Sequence, residues 1–136
     1  MPKSRRRTGI RKPIAGSSDL SSRVLALRKL DEEQRGHTII AYGRLFREAQ
    51  RTGEFKDALG WSGLGRRTAF HYMTVLELHR TIGLNAREIG STDLVKLLEL
   101  KGRTDRAGKA KWLSAANRMN LADFLAYADR FPRATS

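Results

Sequence analysis

Residues 53–80 read GEFKDALGWSGLGRRTAFHYMTVLELHR. This stretch predicts a helix-turn-helix, with a short helix over 54–59, a glycine-rich turn over 60–65 and a longer helix over 66–80. In the longer helix, apolar residues recur at spacings of three and four and predict one buried stripe, formed by Ala69, Tyr72, Met73 and Leu76. The opposite side of the helix carries Arg66, Arg67, Phe70, His71 and Thr74.

The turn has the residues that a sharp corner between two helices requires. Gly63 and Gly65 flank Leu64; glycine adopts positive φ without steric cost, and Leu64 is placed to fill the angle between the helices. Gly65 stands where serine or threonine would cap the second helix better, and the predicted turn exceeds the usual three or four residues. The alternative interpretation is an ordinary helical hairpin with a basic surface.

Composition limits the class of protein. A chain of 136 residues with 40% hydrophobic content is long enough for one domain with a core. The absence of cysteine excludes disulfides and thiol metal sites, and it suits a reducing cytoplasm. We expect no membrane-spanning segment and no secretory signal, because the sequence has no long apolar run and no apolar core follows the charged N-terminus.

The charge points to a polyanionic partner. There are 27 basic and 14 acidic side chains, for a formal net charge of +13. Attraction and the release of condensed counterions favour nucleic acid as that partner. An anionic membrane surface would also attract the chain, but we expect its apolar stripes to be used in packing within the domain.

Residues 1–18 are predicted to form a disordered basic arm ahead of a helical domain over 19–132. The arm contains prolines, glycines and serines with few apolar residues, and it carries six of the thirteen net charges. Arginine-rich arms of this kind follow the phosphate backbone or enter a minor groove. The residues expected to do so are Arg5, Arg6, Arg7, Arg11 and Lys12. The alternative is a solvated tail that aids solubility.

Two scaffold helices are predicted before the corner. The first begins at Ser18 or Asp19 and ends at Gly36, and its apolar face is formed by Leu20, Val24, Leu27 and Leu30. The second covers 38–52, with an inward stripe formed by Ile39, Tyr42, Gly43, Phe46 and Ala49. Gly43 within this stripe lets another helix approach closely. The acidic run over 31–33 is expected to be a solvated turn that opposes nearby arginines.

Further helices are predicted after the corner. They are a short turn of helix over 85–89, a helix through Leu100 capped by Ser91 or Thr92, one over 106–119 capped by Asp105, and one over 121–131 capped by Asn120. The helices over 91–131 serve packing or dimerisation, and the expected dimer surface is either 94–100 or the region of Trp112, Leu113 and Phe124. No stretch alternates as a half-buried strand would, so the fold is predicted to be all-α.

Several short motifs resemble those of a family of phage- and plasmid-borne helical proteins of unassigned function, whose members carry G-x-L, E-A-K, G-x-F/W and R-T-A-x-x-Y-M. The matching residues are Gly43-Arg44-Leu45, Glu48-Ala49, Gly53-Glu54-Phe55, Leu59 and Arg67-Thr68-Ala69-Phe70-His71-Tyr72-Met73. This resemblance covers residues 37–78, with Gln50 where the family has lysine. Residues 81–129 are similar to the helical region after the helix-turn-helix in plasmid partition and repressor proteins. Both resemblances imply a DNA-binding protein of a mobile element.

No constellation of catalytic or metal-binding residues is recognisable, so we expect neither an enzyme nor a cofactor. His37, His71 and His79 are scattered, and the last two are too far apart on one helix to bind one metal without further ligands. The glycines of the turn follow no strand and lack the lysine of a phosphate-binding loop.

The sequence as a whole favours a sequence-specific reader of double-stranded DNA, either a transcriptional regulator or a partition-type protein, acting as a homodimer in the cytoplasm of a bacterial or phage-infected cell. The predicted contacts, besides those of the arm, are Gly65, Arg66, Arg67, Thr68, Phe70, His71 and Thr74. Phe70 either touches a thymine methyl group or packs against the preceding helix. Two alternatives remain open: a non-specific nucleoid-like or single-strand binder, and a small adaptor for a protein partner.

Overall fold

The computed structural model describes residues 15–133, with side chains from Asp19 onward. This part of the chain contains seven helices and no strand, which confirms the all-α prediction. The helices are α1 (Ala15–Thr52), α2 (Phe55–Ser62), α3 (Arg66–Thr81), α4 (Ala86–Ser91), α5 (Leu94–Leu98), α6 (Lys109–Arg118) and α7 (Leu121–Asp129). The described residues fall into two compact units, one that ends at Asp31 and one that begins at Glu32. The helical conformation begins at Ala15, so the last four residues of the predicted arm belong to α1.

Gly36 does not end the first helix, because α1 continues through it to Thr52. Its role is close packing: a Cβ atom at position 36 would lie 1.7 Å from the carbonyl oxygen of Ala86 in α4. A Cβ atom at Gly90 would likewise lie 1.7 Å from the carbonyl oxygen of Glu32. Glycine therefore permits the backbones of α1 and α4 to touch. The acidic run over 31–33 is helical, so the prediction of a turn there was wrong.

The predicted apolar face of the first helix is exposed. Leu20, Val24, Leu27 and Leu30 have between 55% and 61% of their surface accessible. The expectation that every apolar stripe is used in packing was therefore wrong for this segment, which we name the leucine stripe.

The main core forms around α3 to α7. Buried side chains of α3 meet Ile39 and Ile40 of α1 and the centres of the later helices. The largest fully buried members are Leu76, Leu84, Ile89, Leu97, Leu100 and Phe124. At about 1.5 to 3 kcal/mol for each large apolar side chain taken out of water, this cluster is the main source of stability for the helical unit.

The surfaces predicted for dimerisation lie largely inside this core. Leu97, Leu100, Trp112, Leu113 and Phe124 are all buried within the single chain. Only the edges of these segments reach solvent, as at Val95, which is 44% exposed. The prediction left packing and dimerisation open for these helices, and the burial of these side chains shows that they pack within the core of one copy.

The ends of the C-terminal helices differ in part from the prediction. Asn120 caps α7 as expected, and its side chain accepts a hydrogen bond from the amide of Asp123 at 2.8 Å. The cap of α5 is Asp93 rather than Ser91 or Thr92, and α6 begins at Lys109. Asp105 instead accepts from the amide of Gly108 at 2.9 Å and stabilises the preceding turn. Propensity places helix ends to within a few residues, so these shifts are of ordinary size.

None of the helices in the described residues is both long enough and apolar enough to cross a membrane.

Candidate nucleic-acid interface

The corner between α2 and α3 is tighter than predicted. α2 runs to Ser62, so only Gly63, Leu64 and Gly65 join the two helices. Gly63 has φ of 74°, and its amide donates a hydrogen bond to the carbonyl of Leu59 at 3.0 Å. Because this left-handed conformation favours glycine, Gly63 ends α2 at this point. Gly65 is extended and gives α3 no side-chain cap.

A small second core fixes the corner against α1. Its buried members are Phe46, Ala49, Ala58, Ala69 and Met73, contributed by all three helices. Leu64 packs against this cluster, as predicted for the residue that fills the angle between α2 and α3. The orientation of α3 is thus set by side chains on α1 and α2.

Gly43 brings α1 into close contact with α3. A Cβ atom at position 43 would lie 2.7 Å from the carbonyl oxygen of Tyr72 and 3.0 Å from the Cβ of Leu76. The predicted close approach at Gly43 is confirmed. α3 is held by both cores: Ala69 and Met73 lie in the small one, and Val75, Leu76 and Leu78 lie in the main one.

The first turn of α3 presents two arginines to solvent. Arg66 and Arg67 are exposed, and Thr68 is half-buried beside them. The guanidinium carbon of Arg66 lies 5.6 Å from the centroid of the Phe55 ring, a cation–π contact with α2. Neither arginine forms an ion pair with an acidic side chain among the described residues, so both remain available to an external acceptor.

Phe70 packs against α2 but remains partly exposed. Its ring centroid lies 5.3 Å from that of Phe55, so it packs against α2. The side chain nevertheless keeps 40% of its surface exposed. An aromatic face held in place on one side and open on the other is available to an apolar contact.

On one side, the outward face of α3 borders a cleft of about 420 Å³ that is lined by His71, Thr74, Leu98, Lys101, Gly102 and Arg133. Thr74 Oγ1 donates to the carbonyl of Phe70 at 3.1 Å, which leaves the oxygen lone pairs free as acceptors. An Arg133 guanidinium nitrogen donates to the carbonyl of Lys101. The chain segments after α5 and after α7 therefore supply two cations beside His71.

On its other side, the same face borders a groove of about 280 Å³ that is lined by Arg47, Gln50, Phe70, Met73, Thr74 and Glu77. Arg47 and Gln50 come from α1 and the rest from α3. Glu77 is partly neutralised by Lys101, whose Nζ lies 3.6 Å from its carboxylate. Basic side chains thus flank the outward face of α3 on both sides.

The sequence prediction missed Arg47, Lys101 and Arg133 as neighbours of this face. Arg44, Arg47 and Arg51 recur at helical spacing on α1, and that signal was open to sequence analysis. Lys101 and Arg133 carry no comparable signal, because the packing of α5 and α7 brings them to α3. Of the predicted contacts, Gly65, Arg66, Arg67, Thr68, Phe70, His71 and Thr74 lie together at the corner and along α3. Arg5, Arg6, Arg7, Arg11 and Lys12 lie outside the described residues.

The histidines take separate positions. His79 Nδ1 lies 2.6 Å from the carbonyl oxygen of Leu84, where it ties the end of α3 to the following loop. His71 lies in the cleft beside Lys101, and His37 is exposed on α1. Over residues 15–133, no three histidine, aspartate or glutamate side chains form a group that could hold a metal ion.

No protein-family model, curated protein or solved structure matches the chain.

Proposed function

We propose that this protein binds double-stranded DNA in a sequence-specific manner, with the first turn and outward face of α3 in the major groove. The observation that carries the proposal is the pair of exposed arginines, Arg66 and Arg67, directly after a three-residue corner. A helix held by two cores presents them on a rigid support, and rigid presentation lowers the cost of forming directional hydrogen bonds.

The chemistry of these side chains suits base recognition. A guanidinium group donates two hydrogen bonds to N7 and O6 of guanine, which distinguishes guanine from the other bases in the major groove. Further along the helix, His71 and Thr74 offer polar contacts, and the open side of Phe70 offers an apolar surface to a thymine methyl group. Gly65 leaves the first amides of α3 without a side-chain cap, so they are free to meet a phosphate.

The basic arm completes the proposed contact. Arg5, Arg6, Arg7, Arg11 and Lys12 bind the phosphate backbone or an adjacent minor groove. Such contacts raise affinity for every sequence and make it dependent on salt. As a mobile-element protein, it would act in transcriptional regulation or in partition, in the cytoplasm of a bacterial or phage-infected cell.

We further propose that two copies pair through the leucine stripe. One recognition helix reads only a few base pairs, and pairing on a palindrome is the common remedy. The stripe places four large apolar side chains in water, and a second copy of the same surface covers them symmetrically.

The two alternative functions make different demands on the surface. A non-specific or single-strand binder needs the positive charge and the arm but no particular contact at Arg66 or Arg67. A protein adaptor needs an exposed anchor, and Trp61, which is 77% exposed and lines a groove together with Leu45, is a residue of that kind. Trp61→Ala therefore serves as a discriminating variant, because it leaves α3 and the arm unchanged.

Competition binding separates duplex binding from single-strand binding and from a protein adaptor. A labelled duplex is displaced by unlabelled duplex or single-stranded DNA of the same length at increasing salt, with intact protein and with residues 1–13 deleted. We expect the duplex to compete better and the deletion to weaken binding to all duplexes alike while reducing the salt dependence. Stronger competition by single strands would support the second function. A protein that binds no DNA, but loses a protein partner with Trp61→Ala, would support the third.

A further inference from the structure

Four arginines gather around one cleft outside the face assigned to base recognition. Arg44, Arg47 and Arg51 lie along one side of α1, and Arg80 comes from the last turn of α3. Together with Glu48, they line a cleft of about 500 Å³, which we name the arginine cleft. Glu48 is the one carboxylate among these lining residues.

The arginines of the arginine cleft form no ion pair among the described residues. The ion pairs in the described part of the chain use other cations, namely Arg23, Lys101, Arg103, Lys109 and Arg133. Several of those cations also donate to backbone carbonyls, as Lys109 does to Gly83 at 3.0 Å. By contrast, Arg44, Arg47 and Arg51 stand three and four residues apart on one helix, a spacing at which like charges repel. Because these arginines form no ion pair among the described residues, they are available to an external anion.

We propose that the arginine cleft binds phosphate groups of the nucleic-acid backbone beside α3; this inference rests on the proposed function. Guanidinium groups pair with phosphate oxygens through two parallel hydrogen bonds, and several of them around one concavity suit adjacent phosphates. Arg47 also lines the groove that contains Phe70 and Thr74, so the arginine cleft adjoins the outward face of α3. A strand whose bases meet α3 therefore carries its phosphates past these arginines.

The cleft and the recognition helix have separable roles. Phosphate contacts fix position and carry no sequence information, whereas contacts to base edges carry specificity. Loss of cleft arginines therefore weakens binding to every duplex equally, and loss of Arg66 or Arg67 weakens binding to the specific site more than to random DNA.

The double variant Arg44→Gln/Arg51→Gln tests this assignment, since both residues are exposed and neither lines the groove beside α3. Its matched control is Arg87→Gln/Arg118→Gln. This variant removes the same charge from exposed residues that line neither the arginine cleft nor the cleft and groove beside α3. The unaltered protein, the cleft variant and the control are first checked for about equal helicity. Their affinity for a specific and a random duplex is then measured from 50 to 300 mM salt. Each lost phosphate contact reduces the slope of log affinity against log salt by about 0.9.

We expect the cleft variant to lose one to two such contacts on both duplexes and the control to lose fewer. Equal slopes for the two variants would overturn the cleft assignment while leaving DNA binding in place. Failure of the unaltered protein to bind any duplex would contradict both proposals. A second experiment measures the melting temperature of both proteins with inorganic pyrophosphate. If pyrophosphate raises the melting temperature of the unaltered protein but not of the cleft variant, and the salt slope on DNA is the same for both, the cleft binds a free phosphorylated molecule instead of DNA.

Discussion

Gly36 in α1 and Ala86 in α4 are so close that a Cβ atom on Gly36 would lie 1.7 Å from the Ala86 carbonyl oxygen. No side chain fits in that space, and the obstacle is backbone. This contact attaches α4 to α1, and Gly90 against Glu32 repeats it one turn away. α1, which supports α3, is therefore fixed near its middle by the glycine contacts and nearer its C-terminal end by the small core around Phe46.

Gly36→Ala is expected to destabilise the protein by about 1 to 3 kcal/mol or more, because the added methyl group forces α1 and α4 apart. Gly60→Ala is the matched control: Gly60 also lies within a helix, and a Cβ atom there meets nothing within 4 Å. The control should be stabilised by about 0.5 to 1 kcal/mol. Urea unfolding followed by circular dichroism measures both, and similar effects of the two substitutions would contradict the contact.

Lys96→Met is expected to lower the free energy of unfolding by about 1.5 to 3 kcal/mol, because the Lys96 ammonium donates to the carbonyls of Ala116 at 2.7 Å and Met119 at 2.5 Å. These carbonyls lie at the end of α6 and lose their charged donor in the variant. Lys111→Met, on the exposed side of α6, should change the same free energy by less than about 0.5 kcal/mol. Thermal or urea unfolding measures the free energy of unfolding of both variants, and equal changes for the two would contradict this role of Lys96.

Local patterns were sufficient to predict α3 and its buried residues. The stripe that contains Ala69, Met73 and Leu76 is buried as expected, and the helix begins at Arg66. Gly36 was misinterpreted because a glycine that ends a helix and a glycine that lets two helices touch give the same local signal. The second reading depends on Ala86, fifty positions further along the chain.

The sequence predicted only part of the candidate site. Its outward face follows from helical periodicity, but the cations that flank it come from α1, from the chain after α5 and from the chain after α7. Periodicity also cannot distinguish an apolar face packed within the chain from one left exposed. The leucine stripe was therefore expected to pack within the domain, whereas its side chains are exposed.

Arg66→Ala or Arg67→Ala is expected to weaken binding to the specific site by about 1 to 3 kcal/mol, since each lost guanidinium removes a pair of hydrogen bonds to a base. Binding to random duplex DNA should change much less. Arg118→Ala is the control, an exposed arginine of α6 outside the clefts described. Fluorescence anisotropy titrations give both affinities, and equal losses on the two DNAs would reject base recognition by α3.

Leu20→Glu/Leu27→Glu is expected to convert a dimer to a monomer, because two carboxylates in the leucine stripe oppose its burial against a second copy. Leu45→Glu is the control, since Leu45 is an exposed leucine of the same helix, 48% accessible, outside the stripe. Sedimentation equilibrium measures the mass. An unaltered protein that remains monomeric at tens of micromolar, with and without duplex DNA, would contradict pairing through this surface.

Selection of bound sequences from random duplex DNA at moderate salt tests base recognition by α3 most directly. The protein should enrich one short palindromic sequence, and the Arg66→Ala/Arg67→Ala variant should lose the enrichment while still retaining DNA at low salt. Recovery of no preferred sequence by the unaltered protein, or of the same sequence by the variant, would contradict the account.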